Sequence, residues 1–351
     1  MKVSDVIRKI ISGKAIAACL VLATLISCGS IYEDEGDCTP YYYVQFVYDH
    51  NMKFADAFAN EVEDVNLYVF DSNDKFVTLF SERGDVLQSD GYKMRLPLAP
   101  GHYTIVAWCG LYGKNGSYSL PDVTPGVTTL QELSCRLDDR EYKDNGEVSV
   151  GEIDDLFHGI QTYDLPDSYG DHVFKMPLKK NTNYVRVVLQ HLSGEDINAD
   201  DFKFTITDDN GTLGYDNSPL DDELLTYNAW YTAQGTAGVE SRADDGMTSV
   251  SVAVAELTVN RLVKDKDTKA RLTVTRSKPE ADGTYKTVLS IPLVDYALLV
   301  KGYYNKDIDD QEYLDRQDEY NLTFFLDDND NWLSSSIIIN SWRIVLSDVE
   351  M

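Results

Sequence analysis

The sequence predicts an all-β protein with two antiparallel β-sandwich domains in tandem. Short runs rich in Val, Thr and aromatic residues recur along the 351-residue chain, which contains 23 tyrosines, and these residue types favour strands. Clusters of Asp, Asn and Gly separate the runs, as expected for turns. Strands this short, with turns between them, favour antiparallel sandwiches over a parallel α/β sheet. The length is sufficient for two ordinary domains.

Residues 1–27 have the pattern of a lipoprotein signal peptide. A basic start precedes the apolar run at residues 15–26, which is shorter than the roughly twenty residues that span a bilayer but suits a signal peptide. The run ends in Leu-Ile-Ser-Cys, the pattern of a lipobox. We therefore expect cleavage between Ser27 and Cys28 and lipid attachment at Cys28. The alternative is an ordinary secretory signal with an incidental cysteine.

Residues 28–38 form an acidic tether in this interpretation. The segment contains four acidic residues, Glu33, Asp34, Glu35 and Asp37. An acidic run after a lipid-bearing cysteine resembles the surface-export signal of lipoproteins in the Bacteroides group. It also suits a solvated flexible linker, because clustered like charges resist burial. The two interpretations are compatible.

The charge of the chain argues against nucleic acid as a partner. The formal net charge is −28 at pH 7, which repels phosphate backbones and anionic lipid heads. Three cysteines follow Cys28, and in an oxidising compartment they favour one disulfide and one free thiol. Cys109–Cys135 is the first candidate, since it closes a loop rich in Gly, Ser and Pro, but the sequence does not establish the connectivity.

The first predicted domain covers residues 39–178. It opens with a strongly β-prone run at residues 41–48. Residues 62–70 alternate as a half-buried strand does, and residues 76–80 return as the second strand of a hairpin. Before this hairpin, residues 52–62 suit a loop or one helical turn with Phe54 and Phe58 inward. Further strands are predicted at residues 92–98, 102–108, 156–159 and 172–176.

The second predicted domain covers residues 179–351. Strands at residues 183–192 and 202–207 resemble the runs near residues 43–46 and 65–70 at a similar offset, which suggests two related units. Asn210-Gly211 is a strong hairpin signal. Later strands are predicted at residues 249–259, 270–276, 287–292, 319–326, 336–340 and 342–346.

No catalytic or metal-binding motif is recognisable. The chain has five histidines, but none forms an H-x-x-x-H or H-E-x-x-H pair, and we interpret them as structural. There is no nucleophile elbow, phosphate-binding glycine loop or C-x-x-C. Residues 327–331 are rich in Asp and Asn, yet Trp332 and Ile338 stand where an EF-hand needs Gly and Glu, so a turn is favoured. We expect no enzyme activity, no metal, no small-molecule substrate and no cofactor beyond the lipid on Cys28. The histidines are His50, His102, His158, His172 and His191.

Several longer motifs resemble those of the FimB/Mfa-like fimbrial subunits of the Bacteroides group, from about residue 38 to the end. They are Tyr43-x-x-Phe46-x-Tyr48-Asp49-x-Asn51-Met52, Val65-x-Leu67-Tyr68-Val69-Phe70-Asp71, Leu98-x-Pro100-Gly101-x-Tyr103-x-x-Val106-Ala107-Trp108-Cys109-Gly110, Tyr313-Leu314-Asp315-Arg316-Gln317-Asp318-Glu319-Tyr320 and Ile339-Asn340-x-Trp342. The resemblance implies two transthyretin-like sandwiches. It also implies a lipid-anchored subunit that holds the fimbrial shaft in the outer membrane and limits its length.

The same resemblance leaves alternatives open. A shaft or tip fimbrillin is one of them, since shaft subunits of related type are also made as lipoproteins and lose their first strand to an arginine-directed protease. The first arginine after the leader is Arg83, which favours an uncut anchor. We expect the shaft subunits to bind by β-strand complementation at an open sheet edge. A surface lipoprotein that binds glycan is a further alternative, and its clue is exposed aromatic residues such as Trp230 and Tyr231.

Overall fold

The computed structural model describes residues 39–240, 247–264, 269–302 and 305–345. Within these ranges the chain is mainly β-strand, with three short α-helices, so the all-β sandwich prediction is confirmed. Ser27, Cys28 and Cys38, and with them the predicted cleavage and lipid sites, lie outside the described residues.

The first half of the described chain contains twelve strands and one short helix. In order they are β1 (Pro40–Val47), α1 (Phe58–Glu61), β2 (Asp64–Asp71), β3 (Phe76–Arg83), β4 (Met94–Leu96), β5 (Gly101–Cys109), β6 (Tyr118–Ser119), β7 (Ser134–Leu137), β8 (Glu141–Tyr142), β9 (Val148–Val150), β10 (Phe157–Leu165), β11 (Gly170–Pro177) and β12 (Lys179–Lys180).

The second half contains eleven strands and two helices. They are β13 (Asn183–His191), β14 (Phe202–Asp208), β15 (Thr212–Gly214), β16 (Leu225–Asn228), β17 (Tyr231–Glu240), β18 (Met247–Val259), β19 (Arg271–Arg276), β20 (Thr287–Pro292), α2 (Leu293–Leu298), α3 (Asp310–Arg316), β21 (Glu319–Leu326), β22 (Trp332–Ile339) and β23 (Trp342–Val345).

The strands form five sheets, which we number in the order in which the chain enters them. Sheet 1 has the order β11-β1-β4, sheet 2 β12-β10-β5-β2-β3, sheet 3 β15-β7-β6, sheet 4 β20-β19-β14-β16-β9-β8 and sheet 5 β17-β18-β13-β21-β22-β23. Sheets 1 and 2 enclose one hydrophobic cluster. Sheets 4 and 5 enclose a larger one, which continues through sheet 3 to the opposite face of sheet 2.

β1 fills the groove between its two neighbours in sheet 1. It pairs in parallel with β11 over its whole length and antiparallel with β4. Val44 is fully buried, with Tyr42 and Phe46 on the same side of the strand. Tyr42 also donates a hydrogen bond through its hydroxyl to the Pro166 carbonyl at 2.7 Å. The first sandwich therefore depends on β1 for both its hydrogen bonds and its core.

β2 is buried on both faces, which the alternation did not predict. Val65 and Leu67 face sheet 1, but Tyr68 and Phe70 on the other face are buried as well. The half-buried interpretation of residues 62–70 is therefore wrong. Segments around β6 and β7 cover the second face, where Tyr118, Leu133 and Leu137 join the larger cluster.

The two predicted units share a pairing pattern. β13 corresponds to β1, and each pairs in parallel with a later strand, β21 and β11 respectively. These parallel pairs are exceptions within largely antiparallel sheets. The pairing also crosses the predicted boundary at residues 178–179, because β9 pairs with β16 and β7 with β15. The boundary itself stays a prediction.

The Asn210-Gly211 hairpin prediction is wrong. β14 pairs with β16 and β19, and β15 pairs with β7. Neither Asn210 nor Gly211 has the positive φ that a type I′ turn requires. Asn210 is instead buried, and its amide donates to the carbonyls of Asn260 and Arg261 while accepting from the Tyr227 hydroxyl. A tertiary hydrogen-bond network has replaced the local turn.

The structure contradicts the Cys109–Cys135 disulfide. Both cysteines are buried free thiols, and burial raises the pKa of each. Cys109 belongs to the cluster between sheets 1 and 2, whereas Cys135 belongs to the cluster on the opposite face of sheet 2. The sheet therefore separates the two sulfurs.

Phe54 and Phe58 also differ from each other. Phe58 is buried in α1 and stacks on Phe46 with ring centroids 5.2 Å apart. Phe54 is exposed, has φ of 52°, and lies under the Arg316 guanidinium, 4.7 Å from its ring centroid. The inward prediction holds for Phe58 and is wrong for Phe54.

We expect Val44→Asp to loosen the first sandwich. A carboxylate at this fully buried position has no partner and should lower the free energy of unfolding by about 3–5 kcal/mol. Gln45→Asp is the matched control, because the neighbouring side chain is only partly buried. Urea unfolding measures both variants, and equal effects of the two would show that β1 does not hold the core.

We also expect Asp208 to make stability depend on pH. Burial raises the pKa of this carboxyl to about 7, so between about pH 4 and 7 the folded chain keeps a proton that the unfolded chain releases. Stability should therefore fall as the pH rises through this range. Asp208→Asn keeps an oxygen to accept from the Asp209 N–H and removes the ionisation.

The Asp208→Asn variant should be more stable than the wild type at pH 8, by about 1–4 kcal/mol, and similar to it at pH 4. Urea midpoints measured across this pH range test the expectation. Asp171→Asn, on an exposed residue, is the control. A pH profile that Asp208→Asn leaves unchanged would show that Asp208 ionises normally.

Candidate functional site

The edges of the sheets are the places where another strand can add, because an edge strand presents unpaired N–H and C=O groups. Most edge strands in the described part of the chain are short or carry charges. β8 and β12 have two residues each, and β4 has three. β11 has Asp171, Lys175 and Pro177 along its eight residues. These features discourage pairing with a further strand.

β3 is also partly covered. Its first residue, Phe76, donates through its N–H to Thr128 O at 2.9 Å and accepts from Gly126 N at 2.8 Å. The strand ends in the charged residues Glu82 and Arg83. Only its middle is therefore open to another backbone.

β17 differs from these edges in length and composition. It has ten residues, against eight in β3 and β11 and six in β20, and its first charged residue is Glu240 at the end. Its inner edge pairs antiparallel with β18 over the whole strand. Its outer edge pairs with no strand among the residues that the structure describes. β17 is therefore the candidate acceptor edge.

Sequence reasoning missed β17, because its Ala and Gly content is unfavourable for strands. A signal was nonetheless present in the alternation Tyr231, Ala233, Gly235, Ala237 and Val239 with polar residues or glycine between them. Trp230 and Tyr231 lie at the start of this strand, with ring centroids 6.2 Å apart. Both rings are exposed, Trp230 by 38% and Tyr231 by 48%.

Arg83 lies at the end of β3 and its side chain is exposed. Cleavage there would detach β1, β2 and β3. β2 is the buried centre of sheet 2, between β3 and β5, so this loss would remove most of the first core. The position of Arg83 is therefore incompatible with removal of a single first strand.

Two of the histidines come together, and the other three lie apart. His50 and His158 line a cavity of about 230 Å³ with Asp216 and Arg261. Burial lowers the pKa of each imidazole to about 4, so both are neutral at pH 7. His158 donates from Nε2 to Tyr215 O at 2.9 Å, whereas His50 Nε2 has no hydrogen-bond partner. His158 is thus a satisfied structural residue and His50 is not.

The three remaining histidines each have a hydrogen-bond partner. His102 bonds Asp164, His172 bonds Ser168 O, and His191 bonds Asp327 O. Asp327 caps the turn between β21 and β22, where its Oδ1 accepts from the N–H groups of Asn329 and Asn331. The described residues contain no group of three or more His, Cys, Asp or Glu side chains placed to hold a metal ion.

Helices long and apolar enough to cross a membrane are absent from the described residues.

Comparison with known proteins identifies fimbrial anchor proteins as relatives of this chain. The family model for fimbrillin-A associated anchor proteins Mfa1 and Mfa2 matches residues 34–348. The minor fimbrium anchoring subunit Mfa2 of Porphyromonas gingivalis is 25% identical over 222 residues, which is 61% of this chain and 64% of that relative. The match thus spans less than two thirds of the relative's length.

Solved structures agree with the fold. A Bacteroides thetaiotaomicron protein described as a candidate adhesin is 35% identical, with a TM-score of 0.77 over 90% of this chain and all of that one. A second protein from that organism, described as a candidate polysaccharide-binding protein, is 31% identical, with a TM-score of 0.72 over 88% of this chain and 98% of that one. The structure of Porphyromonas gingivalis Mfa2 shares the fold, at 19% identity and a TM-score of 0.61 over 88% of this chain and 99% of that one.

The family model covers most of the chain, and the sandwich architecture agrees with it, so the chain belongs to the family of fimbrillin-A associated anchor proteins.

Proposed function

We propose that this protein is a fimbrial anchor subunit that accepts a strand from a shaft subunit along the outer edge of β17. The observation that carries the proposal is the length of this unpaired edge and its lack of charge before Glu240. A strand added there would gain main-chain hydrogen bonds, and the alternating β17 side chains would supply specificity. The named relative, Mfa2 of Porphyromonas gingivalis, is itself an anchoring subunit.

The position of Arg83 after β3 favours a first strand that is kept, as in an anchor, over one that is removed, as in a polymerising shaft subunit. β1 already fills the groove between β11 and β4, so no second chain can enter it while β1 stays in place. A subunit with its groove occupied can bind at β17 but cannot receive a strand in the groove. Such a subunit ends the polymer at its base and thereby limits its length.

The lipid on Cys28 completes the proposal. Two or more acyl chains anchor a protein stably in a membrane, and the acidic tether would hold the sandwiches away from the outer-membrane surface. The chain would act by binding alone, without catalysis and without a cofactor other than the lipid. Its partners would be the shaft subunits and the outer membrane.

Proline substitutions in β17 test the acceptor edge. Consecutive residues of an edge strand point their N–H groups in opposite directions, so one of Ala233→Pro and Gln234→Pro removes an outward N–H and the other removes a bond to β18. The outward variant should stay folded and bind the purified shaft subunit of the same bacterium at least ~10-fold more weakly. Biolayer interferometry measures the binding, and urea unfolding the stability.

The serine variants at the same two positions keep the N–H and are the matched controls. They should bind the shaft subunit as the wild type does. If both proline variants are folded and bind normally, β17 is not the acceptor edge.

Mass spectrometry of the protein from its native outer membrane tests the anchor. We expect a lipidated Cys28 peptide and a chain still joined across Arg83, and we expect Cys28→Ser to move the protein to the soluble fraction. A mature N-terminus directly after an arginine would instead identify a shaft subunit. The second readout is the share of wild-type and Cys28→Ser protein found in the membrane fraction.

A further inference from the structure

A polar row crosses the outer face of sheet 5 beside Trp230. In the strand register Tyr231 lies opposite Glu256, Glu256 opposite Arg186, and Arg186 opposite Asn321. The four residues thus occupy one line across β17, β18, β13 and β21. Adjacent strands are about 4.8 Å apart, so the row spans about 14 Å. We call these four residues the polar row.

The row borders a half-open cavity of about 310 Å³. Its lining includes the aromatic residues Trp230 and Tyr184 and the polar residues Arg186, Glu256, Glu319 and Asn321. The backbone N–H of Trp230 donates to the backbone carbonyl of Glu256 at 3.0 Å, which holds the backbone of Trp230 beside the row. The cavity is therefore bordered by both aromatic and polar residues.

The polar groups of the row keep free hydrogen-bonding capacity. Arg186 gives bonds from Nε and Nη2 to the same oxygen, Oε1 of Glu256. Within the described residues this leaves Glu256 Oε2 as an acceptor and Arg186 Nη1 as a donor, and no hydrogen bond engages the side-chain amide of Asn321. Acceptors and donors thus alternate along a line that has two exposed aromatic rings, Trp230 and Tyr231, at its β17 end.

We propose that the polar row and Trp230 bind a neutral hexopyranose chain. Vicinal hydroxyls can donate to Glu256 and accept from Arg186 at once, and the C–H face of a sugar ring packs on an indole or phenol face. The Arg186–Glu256 pair is neutral, and Glu319 beside it adds a negative charge, which disfavours anionic polysaccharides. The site lies on the face of sheet 5, whereas the proposed strand acceptor is its edge.

Affinity electrophoresis of the full chain in native gels tests the proposal. The probes are a mannan, an arabinogalactan and a β-glucan, with hyaluronan as the anionic comparison. We expect at least one neutral polysaccharide to retard the protein and hyaluronan to have no effect. Trp230→Ala and Arg186→Ala should each weaken the retardation at least tenfold, and Asn321→Ala, on an exposed residue, should weaken it less.

Tyr169→Ala is the matched control, since Tyr169 is an exposed aromatic residue in the loop before β11. Its loss should change nothing. Retardation by hyaluronan alone, none by any neutral polysaccharide, or binding that survives Trp230→Ala or Arg186→Ala in folded protein would overturn the proposal. If these variants weaken only shaft-subunit binding, the row is a protein contact and the proposal also fails.

Discussion

Beside the hydrophobic cluster that the two sandwiches share, their packing against each other depends on the four polar residues that connect them, Lys179, Lys180, Asn181 and Thr182. Lys180 Nζ lies 3.2 Å from a carboxylate oxygen of Asp155, 3.2 Å from Asp318 and 3.4 Å from Glu61, and its side chain is only 7% exposed. Burial alone lowers the pKa of Lys180, but these carboxylates raise it well above its usual value. The single cation of Lys180 therefore links α1 of the first unit to Asp318, the residue before β21 in the second unit.

The neighbouring residues strengthen the same junction. Asn181 is fully buried and exchanges two side-chain hydrogen bonds with Asn217, at 2.8 and 3.0 Å. Lys179 bonds Asp315, which also binds the guanidinium of Arg261 through both its oxygens. Removing one partner from such a buried ion pair costs about 3–5 kcal/mol. Lys179, Lys180 and Asn181 of the connection are thus each held by ion pairs or hydrogen bonds. The connection therefore leaves the two units little freedom to move apart.

Prediction from the sequence succeeded where local pattern and environment agree. β13 alternates in sequence and is buried on alternate residues, because one of its faces is open. Prediction failed where a segment distant in sequence changed the environment of a strand or turn. Nothing local to β2 reveals that β6 and β7, which begin only at Tyr118 and Ser134, cover its second face. The same holds for Asn210, whose buried partners Tyr227 and Asn260 outweigh the local turn preference of Asn-Gly.

The polar row was harder to predict than the fold, again because it depends on segments that are distant in sequence. The polar row is assembled from four strands, so its members are far apart along the chain, from Arg186 to Asn321. Trp230 and Tyr231 could be singled out as adjacent aromatic residues, but Arg186 and Asn321 have nothing distinctive in the sequence. Register, which sets those partners, follows from the pairing of entire strands.

The edge and the row meet at Tyr231, and this shared residue constrains how the two proposed activities can coexist. A strand added to β17 would lie about 4.8 Å beyond Tyr231 and would extend the row by one side chain. Arg186 and Asn321 lie two and three strands further in, beyond direct contact with such a strand. A sugar chain could therefore bind while the edge is occupied, with its end at Tyr231 bordered by the shaft subunit. Sheet 5 would then use its face to bind sugar and its edge to bind the shaft subunit, and both could be occupied at once.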